Sequence, residues 1–117
     1  MAAKDDLGRR GERLAADYLS AEGMRLVASN WRCSLGEVDL ILTDGRTMVF
    51  VEVKTRSSTR FGHPFEAISA TKMARLRRLA VEWCRTEDYR GEIRVDAVGV
   101  IAGAGSAPII EHLRGVY

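Results

Sequence analysis

The sequence contains little cysteine and proline, and it has no long apolar run. Its two cysteines, Cys33 and Cys84, stand far apart without a CxxC spacing, so neither a disulfide framework nor a zinc site is predicted. No stretch approaches the roughly 20 apolar residues that a membrane span requires, and the charged N-terminus lacks the apolar run of a signal peptide. We therefore expect a cytoplasmic protein that has no membrane partner.

The composition is that of an ordinary globular domain. Hydrophobic residues make up 46% and charged residues 29% of the 117 positions, close to the averages of folded soluble domains. A chain of this length buries one real core without disulfide or metal staples. We therefore interpret residues 1–117 as one domain, which excludes a multidomain protein, a disordered tail and a fibre.

The net charge of +2 hides an uneven distribution of basic residues. Residues 54–78 contain seven basic residues and one acid, a net charge of +6, so the remainder of the chain carries −4. The basic residues are Lys54, Arg56, Arg60, Lys72, Arg75, Arg77 and Arg78. Such a concentration suits a surface that faces nucleic-acid phosphates. An ordinary solvated face of an arginine-rich protein has the same composition, and composition alone leaves both interpretations open.

Hydrophobic periodicity predicts an α/β domain in which helices flank a mixed sheet. Helices are predicted over residues 7–22 and from about residue 69 or 70 to 85, and strands over residues 24–33, 37–43, 47–54, 92–101 and about 108–113. A basic loop is predicted over residues 55–64 because serine, glycine and proline concentrate there. The predicted order is therefore α-β-β-β-α-β-β.

The strands over 37–43 and 47–54 form a predicted hairpin, and its register decides which side chains share a face. A two-residue turn at Asp44-Gly45, a favoured hairpin turn, pairs Asp39 with Phe50. The resulting polar face carries Glu37, Asp39, Glu52 and Lys54, and the apolar face carries Val38, Leu40, Leu42, Val49, Val51 and Val53. A three-residue turn would instead move Glu52 to the other face.

The polar face predicts a metal site. Three carboxylates beside an apolar hairpin repel one another and are costly to desolvate unless a cation compensates their charge. Mg²⁺ or Mn²⁺ fits, because Asp39 and Glu52 supply hard oxygen ligands and Lys54 could hold or deprotonate a water. The alternative is a solvated strand face on which Glu52 and Lys54 form an ordinary ion pair.

Spacing along the chain carries a family resemblance. Asp39, twelve residues, and the Glu-Val-Lys segment at 52–54, with Glu12 in the first helix, resemble the PD-(D/E)xK nuclease superfamily as found in Holliday-junction resolvases. Val38 stands where the superfamily name has proline. Over nearly the whole chain the sequence resembles the small bacterial YraN family of predicted endonucleases. The motifs are Gly8-Arg-Arg-Gly-Glu12, Ala15-Ala-Asp-Tyr-Leu19, Asn30-Trp-Arg32, Gly36-Glu-Val-Asp-Leu-Ile41, Val49-Phe-Val-Glu-Val-Lys-Thr-Arg56 and Lys72.

The resemblance implies a restriction-endonuclease-like core, a central mixed sheet flanked by helices. It implies that Asp39 and Glu52, with the backbone carbonyl of Val53, hold Mg²⁺ or Mn²⁺. It also implies that Lys54 is the catalytic lysine and Glu12 an additional acid near the metal.

The functional expectation is a metal-dependent endonuclease that hydrolyses phosphodiester bonds in DNA, including branched or structured DNA. Arg56, Arg60, Lys72 and Arg75 are expected to bind the DNA backbone. A homodimer is expected because the resolvases cut two strands as dimers. The alternatives are a nucleic-acid-binding module with the same fold and no catalysis, and a protein-interaction domain whose acids are solvated.

Overall fold

The computed structural model describes residues 3–60 and 62–117, so residue 61, within the predicted basic loop, lies outside the described residues. The helices are α1 (Ala3–Ala21) and α2 (Ala70–Glu87), and the strands are β1 (Arg25–Cys33), β2 (Gly36–Asp44), β3 (Thr47–Arg56), β4 (Glu92–Ile101) and β5 (Ile109–Leu113). A 3-10 turn at Pro64–Ala67, which the sequence did not predict, precedes α2. The predicted order of helices and strands is confirmed.

The five strands form one mixed sheet in the order β1-β2-β3-β4-β5. Strands β3 and β4 are parallel, with α2 in the connection between them, and the other neighbouring pairs are antiparallel. Helix α1 packs on one face of the sheet and α2 on the other. The predicted α/β architecture is therefore confirmed. No helix among the described residues is both long enough and apolar enough to cross a bilayer.

Helix α1 approaches β3 closely because a glycine faces the strand. A Cβ added to Gly11 would lie 1.8 Å from the Oγ1 atom of Thr55, so no larger residue fits without displacing the helix. Ala15 and Leu19, one and two turns further along, are fully buried on the same side. Glu12 follows Gly11 directly, and the close contact therefore brings this acid to the sheet.

Helix α2 begins at an N-cap, Ser69, whose hydroxyl accepts a hydrogen bond from the backbone N–H of Lys72 at 3.2 Å. The helix buries Met73, Leu76, Leu79, Ala80 and Trp83. Trp83 packs edge-to-face on Phe50 of β3, with ring centroids 5.6 Å apart. This packing fixes the direction of α2, so that its N-terminal turn, with Lys72, lies near Glu52 of β3.

The hairpin turn lies at residues 45–46, one residue later than predicted, and Phe50 pairs with Ile41 instead of Asp39. The predicted register is therefore wrong by two positions. Because side chains alternate with a period of two, an even shift leaves the residues of the paired segment on their predicted faces, whereas a shift of one would have exchanged the faces. Asp39 and Glu52, just beyond the last pair, remain close enough to repel each other.

Val38 departs from the predicted alternation. Leu40 packs on the α1 side as predicted, but Val38 packs on the α2 side. The pairing of β2 with β3 ends at Leu40 and Val51, and beyond it a side chain replaces the ladder, since Asp39 Oδ2 accepts from the Val53 N–H at 2.8 Å. The strand leaves β3 at Asp39, and this break accounts for the exchanged side of Val38.

The face that carries the acids is solvated only near the end of the strands. Ile41, Met48 and Phe50 occupy the same face and are buried beneath α2. Glu52 and Lys54 come next along β3 and are half-buried. The carboxylates therefore lie at the border of the core, where α2 and α1 leave an opening.

Candidate metal and phosphate site

Asp39 of β2 and Glu52 of β3 form the centre of the site. Each carboxylate raises the energetic cost of ionising the other, because both are half-buried and close enough to repel. Asp39 Oδ2 accepts a hydrogen bond from the Val53 N–H at 2.8 Å, which fixes one of its oxygens. Two half-buried carboxyl groups in this arrangement favour a bound cation.

The electrostatics of the pair differ from those of a structural ion pair. Burial, and then repulsion from the Glu52 carboxylate, raise the pKa of Asp39 to about 8, although the hydrogen bond from Val53 opposes the shift. Burial also raises the pKa of Glu52, against the attraction of Lys72 and Lys54. Full ionisation of the pair is therefore unfavourable in the absence of a ligand, and a bound cation would relieve the repulsion.

Two further acids join the pair from different elements. Carboxylate oxygens of Glu12 in α1, Glu37 in β2 and Asp39 lie within 4.8 Å of one another. The structure thus brings Glu12, Glu37 and Asp39 together, whereas Glu52 lies outside this group and lines the smaller cavity beside α2. Oxygen donors of this kind suit Mg²⁺ and Mn²⁺, which prefer hard ligands.

The backbone at Val53 supports its predicted part in the site. Its N–H points to the β2 side and bonds to Asp39. In an extended strand the N–H and C=O of one residue point to the same side. We therefore expect the Val53 carbonyl to face the gap that opens where β2 leaves β3, beside the Asp39 carboxylate.

Lys54 lines a cleft of about 670 Å³ between the N-terminal half of α1 and the strands. Glu12 and Glu37 line the same cleft. Lys54 also contributes to the electrostatic environment of Glu52. The predicted catalytic lysine therefore shares the cleft with two of the acids.

Lys72 and Arg75 lie on the α2 side of the acids. They line a smaller cavity of about 250 Å³ together with Glu37 and Glu52. The Lys72 ammonium donates a hydrogen bond to the carbonyl of Ala67 at 3.0 Å, which orients it at the start of α2. Both cations were predicted to bind phosphate, and both are beside the carboxyl pair.

Arg56 is the last residue of β3 and pairs with Ile101, so its predicted place in a loop is wrong. The strand continues because the Arg56 carbonyl accepts a hydrogen bond from Ala102. Its Nε atom is buried and has no hydrogen-bond partner among the described residues, and such an atom requires an acceptor. Arg60 is exposed in the segment that follows β3. Neither arginine lines the cleft or the smaller cavity.

Three residues that line the cleft were not predicted to be site residues: Arg9, Asn30 and Arg32. They come from α1 and β1, outside the basic segment at residues 54–78. One signal was present: asparagine is disfavoured inside strands, and Asn30 interrupts a run with strand character. For the two arginines no local pattern gives their direction, because it depends on how α1 packs.

Comparison with known proteins gives a consistent result over the whole chain. Residues 11–100 match the uncharacterised protein family UPF0102. The chain is 56% identical to a UPF0102 protein of Arthrobacter sp. (strain FB24) and 54% identical to one of Beutenbergia cavernae, each over 99% of both chains. It is also 54% identical to a UPF0102 protein of Paenarthrobacter aurescens, over 99% of this chain and 97% of the relative.

Proposed function

The chain belongs to the uncharacterised protein family UPF0102, and we propose that it is a metal-dependent endonuclease that hydrolyses phosphodiester bonds in DNA. Family membership confirms the YraN-like assignment made from the motifs. The metal, the DNA substrate and the resemblance to resolvases belong to the proposal. They are supported by the arrangement of charges around the cleft.

One observation carries the proposal. Carboxylate oxygens of Glu12, Glu37 and Asp39 lie within 4.8 Å of one another, and burial and repulsion from the half-buried Glu52 raise the pKa of Asp39. A protein tolerates such an arrangement where a ligand compensates it, and strongly perturbed acids in a cleft are typical of functional sites. The oxygen-only donor set favours a hard divalent cation as that ligand.

The residues divide the work of phosphodiester hydrolysis. Asp39, Glu52 and the Val53 carbonyl would hold the cation, and Glu12 would supply a further carboxylate oxygen on the α1 side. When bound there, a divalent cation would supply Lewis-acid polarisation of the scissile phosphate and acidification of an attacking water. The Val53 N–H keeps the Asp39 carboxylate in one orientation, so no reorganisation is needed when substrate arrives.

Lys54 acts on the water and on the charge that develops at phosphorus. Its ammonium donates hydrogen bonds to the attacking oxygen or to a phosphate oxygen at the mouth of the cleft. Lys72 and Arg75, on the opposite side of the carboxyl pair, bind the flanking backbone.

Branched or structured DNA is the proposed substrate class. Basic side chains lie on two sides of the acids. Arg9 and Arg32 line the cleft, and Lys72 and Arg75 of α2 line the smaller cavity. Phosphates that approach from two directions match this arrangement. A homodimer would supply a second site for the second strand.

The test is a titration of nuclease activity with Mg²⁺ and Mn²⁺ on linear duplex, single-stranded, flap and four-way-junction DNA. We expect metal-dependent cleavage that Glu52→Gln and Lys54→Ala abolish without loss of folding. Glu87→Gln is the matched control: this exposed residue at the end of α2 lies 15 residues beyond Lys72, about 22 Å along the helix.

Two results would contradict the proposal. DNA binding that weakens with salt, but without cleavage of any substrate in either metal, would favour the nucleic-acid-binding module. Failure to bind DNA at low salt would favour a protein-interaction domain, since phosphate neutralisation makes affinity highest there.

A further inference from the structure

Asn30 has a backbone conformation that the rest of β1 does not share. Its φ is +53°, in the left-handed region that residues other than glycine seldom adopt. Among the described residues, Asp88 is the other non-glycine residue with a positive φ, and there the conformation ends α2 as its C-terminal cap. Asn30 ends no helix and lies inside a strand, so its conformation has a different cause.

The side chain of Asn30 joins acids from two other elements. Its Nδ2 atom donates hydrogen bonds to Glu12 Oε1 of α1 at 2.9 Å and to Glu37 Oε1 of β2 at 3.4 Å. An ionised carboxylate only accepts hydrogen bonds, and the amide group supplies two donors. Asn30, which lies in β1, thus connects α1 with β2 at the cleft.

The position of Asn30 along β1 is opposite Asp39. The neighbouring register pairs are Ser29 with Leu40 and Trp31 with Val38, so Asn30 and Asp39 lie across from each other between them. The carboxylates of Glu12, Glu37 and Asp39 converge at this point of the sheet. The left-handed residue therefore stands where three acids from α1 and β2 meet.

We propose that Asn30 is a positioning residue that holds the Glu12 carboxylate of α1 beside Asp39, so that both carboxylates address the same divalent cation. This inference rests on the proposed function. Asn30 orients Oε1 of Glu12 and leaves Oε2 for the cation. Glu37 has a second partner in Arg32, so it depends less on Asn30.

The left-handed backbone and the hydrogen bond to Glu12 together favour asparagine at position 30. Asparagine tolerates the left-handed conformation better than most residues and also carries the donor that a carboxylate needs. Glycine at position 30 would keep the backbone and remove only the amide. Because Asn30 is exposed, this change removes no core packing, and we expect the Asn30→Gly variant to fold.

The test measures Mn²⁺ binding to the full chain by isothermal titration calorimetry, without DNA. We expect Asn30→Gly to weaken Mn²⁺ binding about tenfold, the lower end of the effects of residues that orient metal ligands. The unfolding temperature in EDTA should stay within a degree or two of the wild type, as for other exposed substitutions. Asp88→Gly is the matched control, because it replaces the other left-handed residue far from the cleft.

A double-variant cycle separates positioning of Glu12 from a general effect on β1. If Asn30 acts through Glu12, the double variant Asn30→Gly/Glu12→Gln should bind Mn²⁺ no more weakly than Glu12→Gln alone. Full additivity of the two effects would overturn the inference.

Two further outcomes distinguish this inference from the proposed function. If Asn30→Gly binds Mn²⁺ with wild-type affinity while Asp39→Asn no longer binds it, the role of Asn30 is overturned and the metal site is retained. No Mn²⁺ binding by the wild type, or equal binding by Asp39→Asn, would overturn both.

Discussion

Asp39 occupies the position of a backbone partner for Val53, because its Oδ2 atom accepts the Val53 N–H at 2.8 Å where the pairing of β2 and β3 has ended. The same hydrogen bond that completes the sheet also orients a carboxylate towards Glu52. The site is therefore part of the sheet, and its charge affects the stability of the fold.

The first prediction concerns Asp39→Asn in the absence of metal. An acid whose pKa is raised from its ordinary value of 3.8 to about 8 binds more protons when folded than when unfolded. Its contribution to stability therefore falls as pH rises from about 4 to 8. Asparagine keeps an acceptor for Val53 and removes this charge. We expect the variant in EDTA at pH 8 to be more stable than the wild type by on the order of 1–3 kcal/mol.

Thermal unfolding at several pH values in EDTA checks this prediction. The gain should shrink towards pH 5, where the folded wild type already holds its proton. Added Mg²⁺ should raise the unfolding temperature of the wild type and leave the variant unchanged. A wild type that is more stable than Asp39→Asn at pH 8 in EDTA would contradict the account.

The second prediction concerns the contact between α1 and β3. Gly11→Ala places a Cβ 1.8 Å from Thr55 Oγ1, so the helix or the strand has to move. We expect a loss of about 1–3 kcal/mol, typical of overpacking. Gly8→Ala in the same helix has no atom within 4 Å of the new Cβ and should be neutral or slightly stabilising. Denaturant unfolding of both variants compares them, and equal stabilities would count against the close approach.

The sequence predicts the order of elements because this order depends on short-range periodicity. The hairpin register was two residues off, since Asp-Gly favours a turn without fixing which pair of residues occupies it. Asp39 and Glu52 nevertheless remain close enough to repel each other. Local patterns could not indicate the displaced side of Val38, because it follows from a hydrogen bond between Asp39 and Val53.

The cleft itself was less predictable than its acids. The cleft forms where α1 packs on the sheet, so that Arg9 of α1 and Asn30 of β1 line it together. This packing involves residues that are distant in sequence. Arg56 was assigned to a loop from the serines that follow it, whereas pairing with β4 extends the strand. Tertiary contacts decide such cases over local propensity.

The third prediction concerns a buried charge away from the cleft. Burial would raise the pKa of Asp96, but hydrogen bonds from Arg94, Gly115 and His112 outweigh it and hold this pKa below its ordinary value. We expect Asp96→Asn to cost on the order of 1–3 kcal/mol, because the fully buried side chain loses its charge-assisted hydrogen bonds with Arg94 and His112, whereas Arg94 keeps its ion pair with Asp44. Asp88→Asn, at an exposed position, should change stability little.

Urea unfolding at several pH values tests the sign of this effect. A lowered pKa gives stability that is present above the unfolded pKa, near 4, and is lost as the pH falls through the folded value. The difference between wild type and Asp96→Asn should therefore be constant from pH 6 to 8 and shrink below about pH 4. A difference that grows on acidification would refute the assignment.

The fourth prediction concerns DNA binding by α2. Arg75 lies beside the carboxyl pair, whereas Arg85 in the last turn is hydrogen-bonded to Glu82. If Arg75 neutralises one phosphate, Arg75→Ala should lower the slope of log affinity against log salt by about 0.9. Arg85→Ala should leave the slope unchanged. Fluorescence anisotropy in EDTA between about 50 and 200 mM salt measures both variants, and equal slopes would exclude Arg75 from the interface.

The irregularities of β1 have a consequence for the behaviour of the protein at high concentration. This strand forms an edge of the sheet, and an edge that is straight and unpaired is a template for aggregation. A register shift between Leu26 and Ala28 and the left-handed Asn30 interrupt the edge at two places. Another chain could pair with only a few consecutive residues, so the backbone that shapes the cleft also protects the sheet from edge-to-edge association.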